Sequence, residues 1–478
     1  MERPRGRGLL PDGAFTGAAG GAACGDLIRI SLALDRASAT GVIGEAGFDA
    51  RGCGAAIAAG SAAVSLVSGA PLLDAARVGA EQIARELGGL SPAKRHAAEL
   101  AADALHRALG LAARSCAPLA PPSSGPCTPA RVLVAMSGGV DSAVAALMVR
   151  EEGADAVGVT LELWSDPEND GERSCCSAQA VRSARELAHG LGMAHLSIDL
   201  RAEFRAGVVE HWIAGHAAGL TPNPCIRCNG RVRIDAMLAL AARLGADSLA
   251  TGHYARVHDG EVLQIASDER KDQSYVLCAL TPSSLRRMRF PLGALRKDQV
   301  RELARRAGLA VARRRDSQDL CFLAGTRQDA FLERHGGVAR RPGAIVGSAG
   351  ETLGEHPGSH LFTVGQRRGL GVSAPEPLYV LATSAHSNTV TVGPRSALRA
   401  HELLLSGLKL SRAGTTVDSV RMRAHGRQLR CRLAGDLCSG SHASARVVLD
   451  APAERTAPGQ LACLYAGDLV VGHATIAS

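Results

Sequence analysis

No run of about 18 uncharged apolar residues occurs anywhere in the chain, so no membrane-spanning helix is expected. The basic opening, Met1 to Gly8, is followed by neither an apolar signal core nor a cleavage site. A cytoplasmic location and no membrane partner are the expectation. The 13 cysteines are an odd number without the dense, even spacing of a disulfide frame, which turns attention to catalysis or metal binding. No internal repeat is visible. At 478 residues the chain exceeds one ordinary core, so two to four domains are expected. A formal charge of +8 and a pI near 9.0 suit a polyanion such as RNA.

Residues 1–23 are rich in Gly, Ala and Pro without periodicity and read as disordered. Residues 24–113 follow as an α+β module. It has a strand at Leu27–Leu34, a second at Val42–Phe48, the turn Arg51-Gly52-Cys53-Gly54, and helical patterns at Ala55–Val67, Leu72–Leu87 and Ala93–Leu109. A Pro/Ser-rich linker spans 114–130. Within 131–330 the texture alternates: strand Arg131–Met136, helix Ser142–Glu152, strand Ala156–Leu163, helix Ala178–Leu191, strand His195–Leu200. That order predicts an α/β fold with a doubly wound parallel sheet. A small β-rich domain over 331–400 is expected from short runs such as Gly343–Val346, His360–Thr363, Leu378–Leu381 and Thr389–Val392. A C-terminal β-barrel is expected over 401–478, with strands near Val417–Arg423, Gln428–Leu433, Ala443–Val448 and Gln460–Tyr465.

The first chemistry sits between a strand and a helix, in Ala135-Met136-Ser137-Gly138-Gly139-Val140-Asp141-Ser142. Glycines let backbone amides approach a phosphate, and the helix N-terminus adds a favourable dipole. Ser137 and Ser142 add hydroxyls. Asp141 has the wrong charge for phosphate, so it is expected to cap the helix or to hold Mg²⁺. The lysine of the G-x-x-x-x-G-K-[ST] loop is missing. The run resembles the SGGxDS signature of pyrophosphatase-loop enzymes, which adenylate a carbonyl oxygen and release pyrophosphate.

Two cysteines narrow the reaction. In Thr221-Pro222-Asn223-Pro224-Cys225-Ile226-Arg227-Cys228-Asn229 two prolines stiffen the approach to Cys228, and a helix start with Arg227 or Arg231 nearby would raise its thiolate fraction. Cys321 lies in Asp316-Ser317-Gln318-Asp319-Leu320-Cys321-Phe322, behind Arg313–Arg315. Between them come Thr251-Gly252-His253-Tyr254 and Lys271-Asp272-Gln273-Ser274-Tyr275, and later Gly365-Gln366-Arg367-Arg368-Gly369. In this order, from about residue 131 to the end, these motifs resemble the tRNA-specific 2-thiouridylases.

The resemblance implies ATP- and Mg²⁺-dependent thiolation at C2 of the wobble uridine of tRNAs for glutamate, glutamine and lysine. It implies that Cys321 bears a persulfide, that Cys228 attacks its inner sulfur, and that a Cys228–Cys321 disulfide remains. ATP would be held by Ala135, Met136, Ser137, Gly138, Gly139, Val140, Asp141, Ser142, Leu161 and Gly252. tRNA would meet Asn223, Pro224, Cys225, His253, Lys271, Asp272, Gln273, Arg367, Arg368, Arg423 and Gln460. Arg305, Arg306 and Arg313–Arg315 are either a solvated face or further phosphate contacts. Many members have Asp where this chain has Cys225. Cys225, Cys228 and Cys321 therefore also admit a second mechanism, as three ligands of a [4Fe–4S] cluster with one open iron. Cys175 and Cys176 have no assigned role. Cys278, Cys431, Cys438 and Cys463 are expected in cores.

The N-terminal module, over about 20–110, resembles the U-type iron–sulfur scaffold through Cys24-Gly25-Asp26, Gly52-Cys53-Gly54 and Lys94-Arg95-His96. Ala97 stands where that family has a third cysteine. Cys24, Asp26, Cys53 and His96 could still form a four-ligand Zn²⁺ or iron site, or the module could be a metal-free adaptor. Either way the fusion implies a cysteine desulfurase or sulfur-relay protein as partner. The competing overall reading is a fused sulfur or iron–sulfur carrier regulated by ATP. The intact loop and both cysteines favour the enzyme, and no glutaminase-like segment supports an amidotransferase.

Overall fold

The computed structural model describes residues 4–21, 25–35, 38–120, 129–166, 177–314, 320–323 and 325–477. Contacts divide the chain into two units. The first holds Met1–Arg201, Ile234–His253 and Arg287–Ala324, and the second holds Ala202–Arg233, Tyr254–Arg286 and Gly325–Ser478.

The first unit opens with three antiparallel strands, β1 (Phe15–Gly20), β2 (Leu27–Leu34) and β3 (Ile43–Arg51), in that order. Helices α1 (Gly54–Val67), α2 (Leu72–Ala75), α3 (Ala80–Glu86) and α4 (Arg95–Ser115) follow. Strand β1 falls inside residues 1–23, so the expectation of disorder there is corrected for residues 4–21. Its small residues serve packing. A Cβ on Gly17 would lie 2.1 Å from the carbonyl oxygen of Ala104, so β1 meets α4 backbone to backbone. The single helix expected over Leu72–Leu87 is broken, because Gly79 is extended and starts a new helix. In α4, Ala97, Ala101, Leu105, Ala108 and Ala112 are buried at spacings of three and four, the stripe of a core-facing helix.

The sheet expected from the alternating segments is present. β4 (Arg131–Ala135), α5 (Val140–Glu151), β5 (Asp155–Glu162), α6 (Ala178–Gly190), β6 (Ala194–Asp199) and β7 (Ser248–Ala250) follow in chain order. The strands are parallel, in the order Met288–Arg289, β7, β4, β5, β6. The order turns back at β4, which makes the carboxyl ends of β4 and β7 the place where such sheets bind ligands.

The module's α4 lies along β6, the outer strand of that sheet. A Cβ on Gly110 would lie 2.0 Å from the carbonyl oxygen of Ser197. The backbone N–H of His195 in β6 donates to Ala76 of the module at 3.0 Å. Asp103 on α4 accepts from Arg182 (2.6 Å) and Arg185 (2.8 Å) on α6, with Arg185 buried. The start of the linker is also pinned, with Leu119 N–H donating to the Arg243 carbonyl and Ala120 N–H to that of Ala39. Edge strands need cover, and here the module supplies it.

In the second unit, residues 202–217 and 224–233 are helical, with π-helical turns at Arg205–Val209 and Cys228–Arg233, and a loop joins the two stretches. A four-stranded sheet over residues 343–393 follows the helix Gln328–Gly336. The strand expected at His360–Thr363 is instead a short 3₁₀ turn, Ser359–Leu361. A six-stranded barrel closes the chain, Arg399–Leu410 pairing with both Gly440–Glu454 and Leu469–Ile476. Alternate residues fill it, among them Leu403, Leu405, Val420, Val447, Leu464 and Val471. Cys278, Cys431 and Cys463 are buried as expected, whereas Cys438 is exposed, because it precedes the long strand in a surface turn.

Candidate active site

The Ser137–Ser142 loop leaves β4 and enters α5 at the switch point. Gly138 takes a positive φ of 70°, and its carbonyl accepts a bond from Arg314 Nη1 at 2.9 Å. The Ser142 hydroxyl is held inside the turn, donating to the Gly139 carbonyl (3.0 Å) and accepting from Ser137 N–H (3.2 Å). Gly139 is the N-cap of α5 and makes no side-chain cap bond. The Asp141 carboxylate meets Lys297 Nζ at 2.7 and 2.8 Å. After β7, Gly252 comes so close that a Cβ there would lie 2.7 Å from the Asp141 carbonyl carbon and from Ser142 N. Leu161 is buried at the end of β5, and Thr160 beside it donates to the Met136 carbonyl at 2.9 Å. The nucleotide residues nominated from sequence thus lie on adjacent parallel strands and the loops after them. Lys297, 156 residues away in sequence, was missed, since nothing local marks it.

Cys225 and Cys228 sit in the second unit on one helical turn. The Asn223 side chain accepts from Cys225 N–H at 3.0 Å and caps that turn, with Pro224 at its first position. Cys228 is buried and Cys225 half-buried. Burial pushes the Cys225 thiol above its ordinary range, and Arg233 only partly offsets this. Arg227 is engaged by the Gly207 carbonyl. Cys321 belongs to the first unit, half-buried, next to Phe322, whose ring packs edge-on against Trp164. Residues 315–319 and 167–176, which include Asp316, Asp319, Cys175 and Cys176, lie outside the described residues.

Several nominated tRNA contacts have interior partners. Asp272 is buried and accepts from Ala266 N–H, Ser274 N–H, the Ser274 hydroxyl and Arg421. Its carboxylate faces protein, so an RNA contact for it is corrected to a role in joining the 272–275 turn to the barrel. Gln273 accepts from Tyr254 N–H, and Gln460 donates to the Thr221 carbonyl, steadying the loop before Asn223. His253 Nδ1 lies 2.9 Å from the Thr251 hydroxyl, and Lys271 is half-buried. Arg367 and Arg368 are exposed. Arg423 is exposed and lines a cavity of about 390 Å³ together with Arg395, Arg399 and Arg427, which the sequence did not single out. Arg305 and Arg306 pair with Glu302 on their own helix, the solvated-face arrangement.

In the module, ligand atoms of Asp26, Cys53 and His96 all lie within 4.8 Å of one another. Cys53 Sγ donates to Asp26 Oδ2 at 3.3 Å, and His96 Nε2 lies 3.2 Å from the same oxygen. The backbone bond from Cys53, above all, holds the Asp26 carboxyl below its usual range. One sulfur, one nitrogen and one carboxylate at these separations fit three corners of a tetrahedral Zn²⁺ site. Cys24, the fourth nominated ligand, lies outside the described residues.

A doubly wound sheet with a glycine-rich strand–loop–helix turn at its switch point, followed by a β-barrel, is the architecture of a HUP-class protein, here fused to a scaffold-like module. Family models match accordingly: a NifU-like N-terminal domain over 1–113, a tRNA methyl transferase HUP domain over 130–325, a tRNA methyl transferase PRC-barrel domain over 329–394 and an aminomethyltransferase β-barrel domain over 397–476. The bifunctional protein NifU/MnmA of Rubrobacter xylanophilus is 43% identical over 484 residues, covering 100% of this chain and 97% of that one. The tRNA-specific 2-thiouridylases MnmA of Thermobifida fusca (45% identical) and Rhodospirillum rubrum (43%) each match 73% of this chain and 95% of their own. The chain belongs to the tRNA-specific 2-thiouridylase family, in the form that carries an N-terminal NifU-like domain. Among the described residues no helix is long and apolar enough to cross a membrane.

Proposed function

We propose that the chain replaces the C2 oxygen of the wobble uridine of tRNA with sulfur, using ATP. The observation that carries the reading is the convergence of the complete Ser137–Ser142 loop and Gly252 at the switch point of the sheet, in a chain that also has Cys228 and Cys321. Oxygen at C2 of uracil leaves poorly. Attack of that oxygen on the α-phosphorus of ATP forms an O–P bond and expels pyrophosphate with the electron pair. The loop amides and Ser137 would hold the phosphates, and Asp141 would hold Mg²⁺, which supplies positive charge to the phosphate oxygens.

The terminal sulfur of a Cys321 persulfide then attacks C2, and AMP departs with the former C2 oxygen. The Cys228 thiolate attacks the inner sulfur of Cys321, the S–S bond to the product breaks, and 2-thiouridine leaves. A Cys228–Cys321 disulfide remains for an external dithiol to reduce. The half-buried, protonated Cys225 thiol suits neither base nor nucleophile. The uridine must leave its stack to react. Arg367, Arg368 and the arginines around Arg423 are the phosphate contacts that would position the tRNA. The module would hold Zn²⁺ or iron through Asp26, Cys53 and His96 and act as an adaptor that recruits a cysteine desulfurase.

Substitution of the cysteines tests this. Under single-turnover conditions Cys228→Ser and Cys321→Ser should form no 2-thiouridine, while Cys225→Ser keeps most activity. Turnover should leave a Cys228–Cys321 disulfide in peptide mass spectra. A folded Cys225→Ser protein that binds ATP and tRNA but is inactive would instead support three thiolates on a [4Fe–4S] cluster.

A further inference from the structure

The phosphate loop carries an acid and no lysine of its own, yet an ammonium reaches it from far along the chain. Lys297 is the first residue of the helix Lys297–Arg306, and its Nζ lies 2.7 and 2.8 Å from the two carboxylate oxygens of Asp141. Its side chain is 12% exposed, so the charge has been drawn out of water to face the loop. Surface ion pairs contribute little, and a lysine confined this way needs a further use to balance its desolvation. Arg314 reaches the same loop at the Gly138 carbonyl, and Gly252 closes against Asp141 and Ser142 from β7. Two cations and a helix N-terminus therefore meet around Gly138–Asp141, where a triphosphate would bring about four negative charges.

We propose that Lys297 is the phosphate-binding cation of this site, gripping the β- and γ-phosphate oxygens of ATP and stabilising the pyrophosphate leaving group. This rests on the ATP-dependent reading above. In the nucleotide-free chain Asp141 holds the ammonium in place. With nucleotide bound, the Asp141 carboxylate is free to serve Mg²⁺ while Lys297 turns to phosphate. As the uracil oxygen bonds to the α-phosphorus and the bridging P–O bond breaks, the electron pair passes to pyrophosphate. Lys297 meets that charge without giving up a proton. The lysine thereby supplies, from another helix, what G-x-x-x-x-G-K-[ST] loops carry internally.

The competing role is structural: Lys297 only shapes the loop through Asp141. Equilibrium binding of ATP, pyrophosphate and AMP to the full chain, each with Mg²⁺, separates the two. Lys297→Met keeps the apolar stem and removes the charge. It should weaken ATP and pyrophosphate by about 10- to 100-fold, the range of a charge-assisted contact. AMP, which lacks the β- and γ-phosphates, should change by less than about twofold. Lys297→Arg should restore most of the pyrophosphate affinity. Equal losses for AMP and ATP, or undiminished pyrophosphate binding, overturn the assignment. If Lys297→Met does not fold, judged by its melting curve, Lys297→Gln and Lys297→Arg carry the same comparison. Wild-type chain that binds neither ATP nor pyrophosphate would sink the ATP reading itself; tight wild-type binding unaffected by the substitutions sinks only the lysine's role.

Discussion

Gly110→Ala tests whether the NifU-like module is a fixed part of the ATP-binding unit, because the two possibilities predict opposite signs. On a helix free of that unit, replacing a central glycine with alanine stabilises by about 0.5–1 kcal/mol. Here the new Cβ would stand 2.0 Å from the Ser197 carbonyl oxygen, on the backbone of a strand that cannot swing aside. α4 would have to retreat by more than about 1 Å to reach ordinary contact, at an overpacking cost of about 1–3 kcal/mol. The same retreat stretches the 2.8 Å bond between Asp103 and buried Arg185, and loss of a partner from a buried charge costs about 3–5 kcal/mol. These terms share one displacement and are not summed; a net loss of about 2–4 kcal/mol is expected. Chemical denaturation of the full chain reads it, with Leu111→Ala at the exposed neighbouring position as a near-neutral control. Amide exchange over Ala194–Asp199 should quicken in Gly110→Ala as the edge strand loses its cover. A Gly110→Ala protein more stable than wild type, with unchanged exchange in β6, would refute the docking.

The same contact should loosen in mild acid. His106, His189 and His195 are held below their ordinary range, first by burial and then by Arg185, with neighbouring histidines adding to this at His106 and His195 and Arg77 at His189, which is brought down to about 4. Such groups stay neutral in the folded chain and protonate when it unfolds, so stability is present above the unfolded value near 6.5 and is lost as pH falls towards 4. His189 alone accounts for about 3 kcal/mol over that window; an unfolding midpoint that does not fall between pH 6.5 and 4 would contradict the burial of all three. Asp272→Ala should act on stability before RNA. It leaves Arg421 buried without its carboxylate, a loss of about 3–5 kcal/mol by thermal or urea unfolding, while tRNA affinity of the folded protein is retained. Full stability with weakened tRNA binding would return Asp272 to the RNA surface.

Much of the site was legible because its signals are local. Strand, glycine turn and helix in 131–152 follow one another directly, and such a turn aims backbone amides and a helix N-terminus at an anion. The alternation of strands and helices gave the parallel sheet, and cysteines between prolines or behind arginines announced themselves by residue type. Residues 1–23 misled, because glycine and alanine mark both disorder and a strand pressed against a helix; only Ala104 opposite Gly17 decides which. For Asp272 the resemblance implied an RNA contact; its carboxylate's partner Arg421, 149 residues away, is placed beside it only by the fold.

By itself, then, the sequence determined the phosphate loop, the two cysteines proposed for sulfur transfer, and the order of domains, since each is written in neighbouring residues and their periodicity. Tertiary structure alone decided that Lys297 faces Asp141, that Gln460 steadies the loop before Asn223, and that α4 covers β6. Those facts depend on which surfaces come together after long chain closures. No local propensity encodes them, and packing at distances of a few ångström selects them.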